Sequence, residues 1–297
     1  MEFKGIITPM ITPVKNKKID FQAISELIEY LLRIGVEGIF PGSSTGAFTL
    51  FSLKEHREII EFSREKFQGK GLFIPGISRN NLEETILMGK SAIDMGADGV
   101  VIITPFYLKF GQDAIYRYYA KIADELDIPI FVYNNPDLSC NSIEPETLEK
   151  LFQNYSNIIG IKDSSGDMRK FNTFIAHLPS NRYIFQGRDD LLYESLILGA
   201  SGGVCGTSNF STLVHELYKK KDLNIQKKIV LIMETLRKFQ NHVSYNYIFR
   251  KKILNEEFPK DYTMEPFSDL NSDQERILDI LISDLKEYEL KGTYGFK

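Results

Sequence analysis

The chain has 297 residues, 43% of them apolar, and a formal net charge of −4. That is enough apolar chain for one large core, and the acidic balance points away from a nucleic-acid partner. No apolar run reaches the roughly 18 residues of a membrane helix, and Met1-Glu2-Phe3-Lys4 does not open a signal peptide.

In chain order, short apolar runs alternate with amphipathic stretches. Gly5-Ile6-Ile7-Thr8 is the first strand. Asp20 then N-caps a helix carrying Phe21, Ile24, Leu27, Ile28, Leu31 and Leu32, and Gly35 stops it. Glu37-Gly38-Ile39-Phe40 follows, then a helix opened by the capping box Ser52-Leu53-Lys54-Glu55. Leu72-Phe73-Ile74-Pro75, a helix over Asn81 to Met95, Gly99-Val100-Val101-Ile102-Ile103 and a helix over Gln112 to Leu126 continue the alternation. The remaining strands are Pro129-Ile130-Phe131-Val132-Tyr133, Ile158-Ile159-Gly160-Ile161-Lys162, Tyr183-Ile184-Phe185-Gln186 and Gly202-Gly203-Val204-Cys205. These runs do not alternate in polarity, so they read as parallel strands buried on both faces. Eight such units predict an α/β fold, a (β/α)8 TIM barrel over residues 1–210, with a doubly wound open sheet as the alternative. Leu213 to Tyr218, Ile225 to Phe239 and Asp273 to Tyr288 read as helices, so 211–297 is expected to pack on the barrel as part of a single structural unit.

Cys140 and Cys205 form no CxxC pair, which suits a reducing, cytoplasmic setting. His56, His177, His215 and His242 share no ligand spacing, and no metal is expected.

A barrel of this kind places chemistry at the carboxyl ends of its strands. Those ends read Pro41-Gly42-Ser43-Ser44-Thr45-Gly46, Thr104-Pro105-Phe106-Tyr107, Tyr133-Asn134-Asn135-Pro136, Lys162-Asp163-Ser164-Ser165, Gly187-Arg188-Asp189-Asp190 and Cys205-Gly206-Thr207-Ser208-Asn209. Lys162 ends an apolar run. Burial penalises an ammonium, and the freed amine can attack a ketone to form an imine, an electron sink for the neighbouring carbon–carbon bond. A structural ion pair with Asp163 or Asp189 is the other reading of this lysine. Tyr133 ends the preceding strand, where its phenol can carry a proton through Ser44, Thr45 and Tyr107 or simply pack in the core. The Gly-Ser-Ser-Thr-Gly turn offers amides to an anion, and it is not a Walker A loop.

These strand ends, in this order, resemble the dihydrodipicolinate synthase/N-acetylneuraminate lyase superfamily over residues 3 to 210. Ser43-Ser44-Thr45-Gly46 resembles its Gly-Thr-Thr-Gly loop, with Ser43 in place of the first glycine. Tyr133-Asn134-Asn135-Pro136, Gly160-Ile161-Lys162, Gly187-Arg188-Asp189 and Gly199-Ala200-Ser201-Gly202-Gly203 resemble its other motifs. The resemblance implies an imine-forming Lys162, a proton-transfer Tyr133 and a relay through Ser44 and Tyr107, the last reaching a neighbouring subunit of a homotetramer. It also implies that Ser44, Thr45 and Val204 hold pyruvate, and that no cofactor is needed beyond the covalent imine with pyruvate. Dihydrodipicolinate synthases carry an arginine for the second substrate where this chain has Leu138, and a leucine cannot hold a carboxylate. Phe185 to Leu192 and Ser201 to Gly206 are most similar to 2-keto-3-deoxygluconate aldolases of the Entner–Doudoroff branches. That implies reversible cleavage of a 2-keto sugar acid to pyruvate and glyceraldehyde, with Gly187, Asp189 and Asp190 at the sugar hydroxyls. Lys109 is a candidate for binding a phosphate, but a surface lysine is the commoner explanation, so the non-phosphorylated acid is favoured. The alternatives are a lyase acting on N-acetylneuraminate or another sugar acid, a dihydrodipicolinate synthase, and a catalytically silent ligand-binding barrel.

Overall fold

The computed structural model describes residues 2–68, 71–258 and 262–292. The outermost parts of the two expected stretches, Met1 and 293–297, lie outside the described residues. Eight parallel strands form the sheet: β1 (Gly5–Pro9), β2 (Gly38–Phe40), β3 (Leu72–Phe73), β4 (Val100–Ile103), β5 (Ile130–Asn134), β6 (Ile158–Asp163), β7 (Tyr183–Gln186) and β8 (Gly202–Val204). Their order is β3-β2-β1-β8-β7-β6-β5-β4. A parallel bridge from Gly76 to Val101 joins the two ends, so the sheet curls into a TIM barrel and the open-sheet alternative falls.

Helices α1 (Phe21–Ile34), α2 (Leu53–Phe67), α3 (Leu82–Asp94), α4 (Gln112–Glu125), α5 (Pro145–Asn154), α6 (Met168–His177), α7 (Leu192–Ile197) and α8 (Leu213–Lys220) alternate with the strands. The expected caps are in place. Asp20 accepts from the Ala23 amide, Gly35 closes α1 in the left-handed region at φ 71°, and both bonds of the Ser52–Glu55 box are made.

The two-residue period of the strands sorts the core into two shells. Ile7, Phe40, Ile74, Val101, Phe131, Tyr133, Phe185 and Val204 fill the barrel interior. Their neighbours Ile6, Ile39, Phe73, Val100, Ile130, Val132, Ile161 and Ile184 pack outward against the helices.

Two features differ from the sequence reading. A small antiparallel hairpin, Val14–Lys15 with Lys18–Ile19, follows β1. Asn16 and Lys17 both turn at positive φ, the backbone of a tight hairpin loop. After α8 the chain forms α9 (Leu223–Leu236), α10 (Asn241–Ile248) and α11 (Ser272–Gly292), and α10 has no counterpart among the expected helices. These tail helices are tied to the barrel. Buried Arg250 bonds to Asp20, Glu256 and the Val14 carbonyl, Lys252 reaches the Phe210 carbonyl and Glu289, and Gln226 donates to the Asp190 carbonyl.

Candidate active site

A cavity of about 480 Å³ opens at the carboxyl ends of the strands, where the fold rule puts chemistry. Lys162 and Tyr133 are register partners on adjacent strands β6 and β5. Cross-strand partners face the same side, so both side chains point into the barrel mouth. The Lys162 amine sits 3.9 Å from the Tyr133 ring centre and 5.2 Å from that of Phe40, and only 5% of the residue is exposed.

Neither aspartate proposed as an ionic partner for Lys162 takes that role. Asp163 accepts from Asn134 Nδ2 at 2.7 Å and Ser165 Oγ at 2.8 Å. Asp189 accepts from the Gly206 and Thr207 amides and from the Thr207 hydroxyl. Among the described residues Lys162 has no ion pair within 4.0 Å. The apolar walls and the phenol ring therefore make up its immediate surroundings.

The Tyr133 phenol accepts from Asn135 Nδ2 at 2.8 Å. Burial is the largest single effect and pushes the phenol up, but the positive charge of Lys162 opposes it. Together with hydrogen bonds from Asn135, Ser44 and Ser164 it holds Tyr133 below its usual value of 10. A phenol eased toward its anion beside an amine can take a proton from a substrate hydroxyl.

Ser44, Thr45, Gly187 and Val204 line the same cavity. The turn after β2 is fixed from below by Ser43, whose hydroxyl donates to the Met10 carbonyl and accepts the Gly46 amide. Gly187 allows the close approach of β7 to the lysine. A Cβ there would stand 1.9 Å from Ser164 Oγ and 3.0 Å from Lys162 Cε.

Three expected residues sit differently. Asp189 lines the cavity, but its oxygens clamp the loop after β8 instead of standing free for sugar hydroxyls. Asp190 does not line the cavity. It sits behind two lining residues, Arg188 and Arg237, and pairs with both, because the short helical turn Asp189–Leu191 sends consecutive side chains in different directions. Tyr107 is 79% exposed at φ 78° and does not join the cavity of its own chain. Lys109 is also exposed and off the cavity.

The larger surprise is the tail. Arg237, Asn241, His242 and Phe267 close the cavity from the C-terminal side, none of them nominated from sequence. Asn135 and Ser164 were likewise missed, although they flank Tyr133 and Lys162 in the strand-end motifs. Among the described residues no group of three or more histidine, cysteine, aspartate or glutamate side chains is placed to hold a metal. No helix there is long and apolar enough to cross a membrane.

The model of the dihydrodipicolinate synthetase family matches residues 2–283. A 2-dehydro-3-deoxy-D-gluconate/2-dehydro-3-deoxy-phosphogluconate aldolase of Picrophilus torridus is 38% identical over 255 residues, 83% of this chain and 95% of that protein. A 4-hydroxy-tetrahydrodipicolinate synthase of Endomicrobium trichonymphae is 39% identical over 207 residues, 70% of this chain and 71% of that one. Among solved structures, a 2-keto 3-deoxygluconate aldolase from Picrophilus torridus superposes with a TM-score of 0.85 at 37% identity, covering 91% of this chain and 98% of that one.

Proposed function

The chain belongs to the dihydrodipicolinate synthetase family, within the superfamily of pyruvate-dependent class I aldolases, and is a lyase; on that premise we propose that it cleaves 2-keto-3-deoxygluconate reversibly to pyruvate and glyceraldehyde through an imine on Lys162. The observation that carries this reading is the Lys162 amine itself. It is buried at the barrel mouth, free among the described residues of any carboxylate within ion-pair distance, and stands 3.9 Å from the Tyr133 ring.

The amine adds to the C2 ketone, and the carbinolamine loses water to give a protonated imine. Tyr133 takes the proton of the C4 hydroxyl. The C3–C4 bond then breaks, and its electron pair moves onto the imine nitrogen as the enamine forms. The C4 fragment leaves as glyceraldehyde. Protonation at C3 and attack of water on the imine release pyruvate and restore the amine. Ser44 and Thr45 hold the substrate carboxylate, and Val204 contacts the pyruvate half. Tyr133 passes its proton through Ser44 and through Tyr107 of a neighbouring subunit. The imine supplies the electron sink, so the residues of the chain suffice without a further cofactor.

The substrate class is supported by Leu138, which is 58% exposed on the cavity wall and carries no charge for a second carboxylate. The torridus relative, named for both the free and the phosphorylated acid, supports the same chemistry. Exposed Tyr107, Leu108 and Phe110 form an apolar edge beside the site, in keeping with a homotetramer in which a neighbour covers it. The free thiols of Cys140 and Cys205 are in keeping with a cytoplasmic setting.

Borohydride trapping with pyruvate, followed by peptide mapping, tests the mechanism. The expected result is a reduced adduct on Lys162, lost together with turnover in Lys162→Ala while the circular dichroism is unchanged. An active Lys162→Ala enzyme sinks the mechanism. A panel of 2-keto-3-deoxygluconate, its 6-phosphate, N-acetylneuraminate and aspartate semialdehyde then tests the substrate, and preferred turnover of either of the last two reassigns it.

A further inference from the structure

Asn135 opens the short helical turn Pro136–Ser139, directly after β5. An asparagine at the start of a helix ordinarily uses its side chain to accept a bond from an amide two or three residues on. This one makes no such cap bond. The turn is closed without it, because the Asn135 backbone carbonyl accepts the Leu138 and Ser139 amides and the Ser139 hydroxyl. The side chain turns back two residues instead, and its Nδ2 donates to the Tyr133 phenol oxygen at 2.8 Å. The residue is 8% exposed and lines the catalytic cavity.

A donated bond has a direction. It occupies a lone pair of the phenol oxygen, leaves the phenol's own proton to another partner, and strengthens as the oxygen gains negative charge. Facing the phenol are the Lys162 amine from β6, 3.9 Å from the ring, the hydroxyls of Ser44 and Ser164 from the turns after β2 and β6, and apolar Ile103, the register partner on β4. Asp137, Arg188, Asp189, Arg237 and His242 line the same cavity. After burial, Lys162 acts most strongly on the phenol and Asn135 follows, both favouring its anion. The two differ in permanence. On the aldolase reading the lysine's charge passes to the protonated imine and vanishes in the enamine, whereas an amide donor is fixed by the fold through every step.

We propose that Asn135 is a positioning residue for the proton carrier: its amide holds the Tyr133 phenol oxygen and stabilises the negative charge that oxygen bears before it takes, or after it gives up, the substrate proton. The assignment rests on the aldolase reading above.

The test compares two steps across pH, cleavage of 2-keto-3-deoxygluconate and formation of the borohydride-trapped pyruvate adduct. In Asn135→Leu, of similar size and without a donor, cleavage at neutral pH falls about tenfold. Its rising pH limb moves up by about one to two units, the scale of a hydrogen bond to a charged group, so the variant closes on wild type in alkali. Adduct formation stays within about twofold, and its pH limb, which belongs to Lys162, does not move. Asn135→Asp keeps an acceptor, loses the donor and adds a negative charge, so it does not restore cleavage. If Asn135→Leu fails to fold, Asn135→Ser carries the test: serine suits the start of the turn, and its oxygen stops one bond short of the amide nitrogen. A cleavage limb that stays in place in a folded variant, an adduct limb that moves with it, or an Asn135→Asp enzyme with the wild-type rate overturns the assignment and leaves the aldolase reading intact. Wild-type adduct without cleavage of any acid in the panel also overturns it, because no proton transfer is then left to assist. Absence of any adduct in the wild-type chain is a different failure and removes both.

Discussion

Gly187→Ala is the smallest change that reaches the heart of the proposed chemistry. The added methyl carbon would stand 1.9 Å from Ser164 Oγ and 3.0 Å from both Lys162 Cε and the Asp163 carbonyl oxygen. Comfortable contacts between such atoms need about 3.5 Å or more. Ser164 must therefore move by roughly 1.5 Å, and the lysine or strand β6 by about half an ångström. The carbonyl cannot swing aside, because it accepts the Gly187 amide at 2.7 Å. Both displacements act in one direction. Lys162 leaves its place over Tyr133, and Ser164 stops supporting the phenol. Misplacing a reacting group by about 1 Å costs on the order of 10²-fold in rate, and overpacking costs about 1–3 kcal/mol in stability. The expected result is a fall of about 100-fold in both adduct formation and kcat/KM. The chain stays folded, with Tm lower by no more than about 10 °C. Adding Ser164→Gly removes the worst clash and recovers stability non-additively. A Gly187→Ala enzyme within about threefold of wild type in adduct formation would show that Lys162 tolerates displacement, and would refute the claim that this contact positions it.

Tyr133→Phe keeps the ring beneath the amine and removes only the hydroxyl, so it should slow cleavage by about 10²–10⁴-fold, the span of lost acid–base catalysis, while pyruvate still forms its adduct; a near-normal kcat reassigns the proton carrier. His56 is buried beside Gly42 at the turn after β2, and burial, with the Arg79 guanidinium nearby, pushes it down to about 4. A histidine depressed in the folded state contributes stability above its unfolded value of about 6.5 and loses it as pH falls toward 4, at up to about 1.4 kcal/mol per unit. Urea midpoints for His56→Gln should accordingly vary less over that window than those of wild type, and parallel curves would contradict the assignment. Arg250, 1% exposed, holds the tail to the barrel through Asp20 and the Val14 carbonyl, and pairs with Glu256 within the tail. Arg250→Met should cost about 3 kcal/mol, the low end for a broken buried pair because both carboxylates keep some contact with water; a loss under about 1 kcal/mol by denaturant titration would show the anchor to be dispensable.

The barrel was legible because its physics is local. A strand buried on both faces must be apolar throughout, and a helix covering it must be apolar on one stripe, so eight repeats of that pair leave little freedom. Lys162 and Tyr133 were legible for the same reason, as polar groups ending apolar runs on strands that turn out to be register partners. The hairpin at Val14–Ile19 escaped because two-residue strands carry no period to read. Asp189 and Asp190 show where strand logic stops. Both follow β7, but past the strand the period changes, and one step along the chain separates a loop clamp from an ion pair with two arginines of the cavity wall.

The tail poses a harder problem, and its cause is geometric. A helical stripe reports that a face is buried, not what it is buried against. Arg237, His242 and Phe267 lie on or beside helices whose apolar stripes are satisfied by the barrel, and their arrival at the cavity depends on how the whole tail is laid across the strand ends. Chemistry common to the family can be carried by strand ends, which the barrel holds in nearly fixed places. On the proposed aldolase reading, recognition of one substrate against another falls to whatever closes the mouth. In this chain that is the tail, so substrate preference should move with changes in the tail residues that line the cavity, while the proposed imine formation on Lys162 should stay as it is.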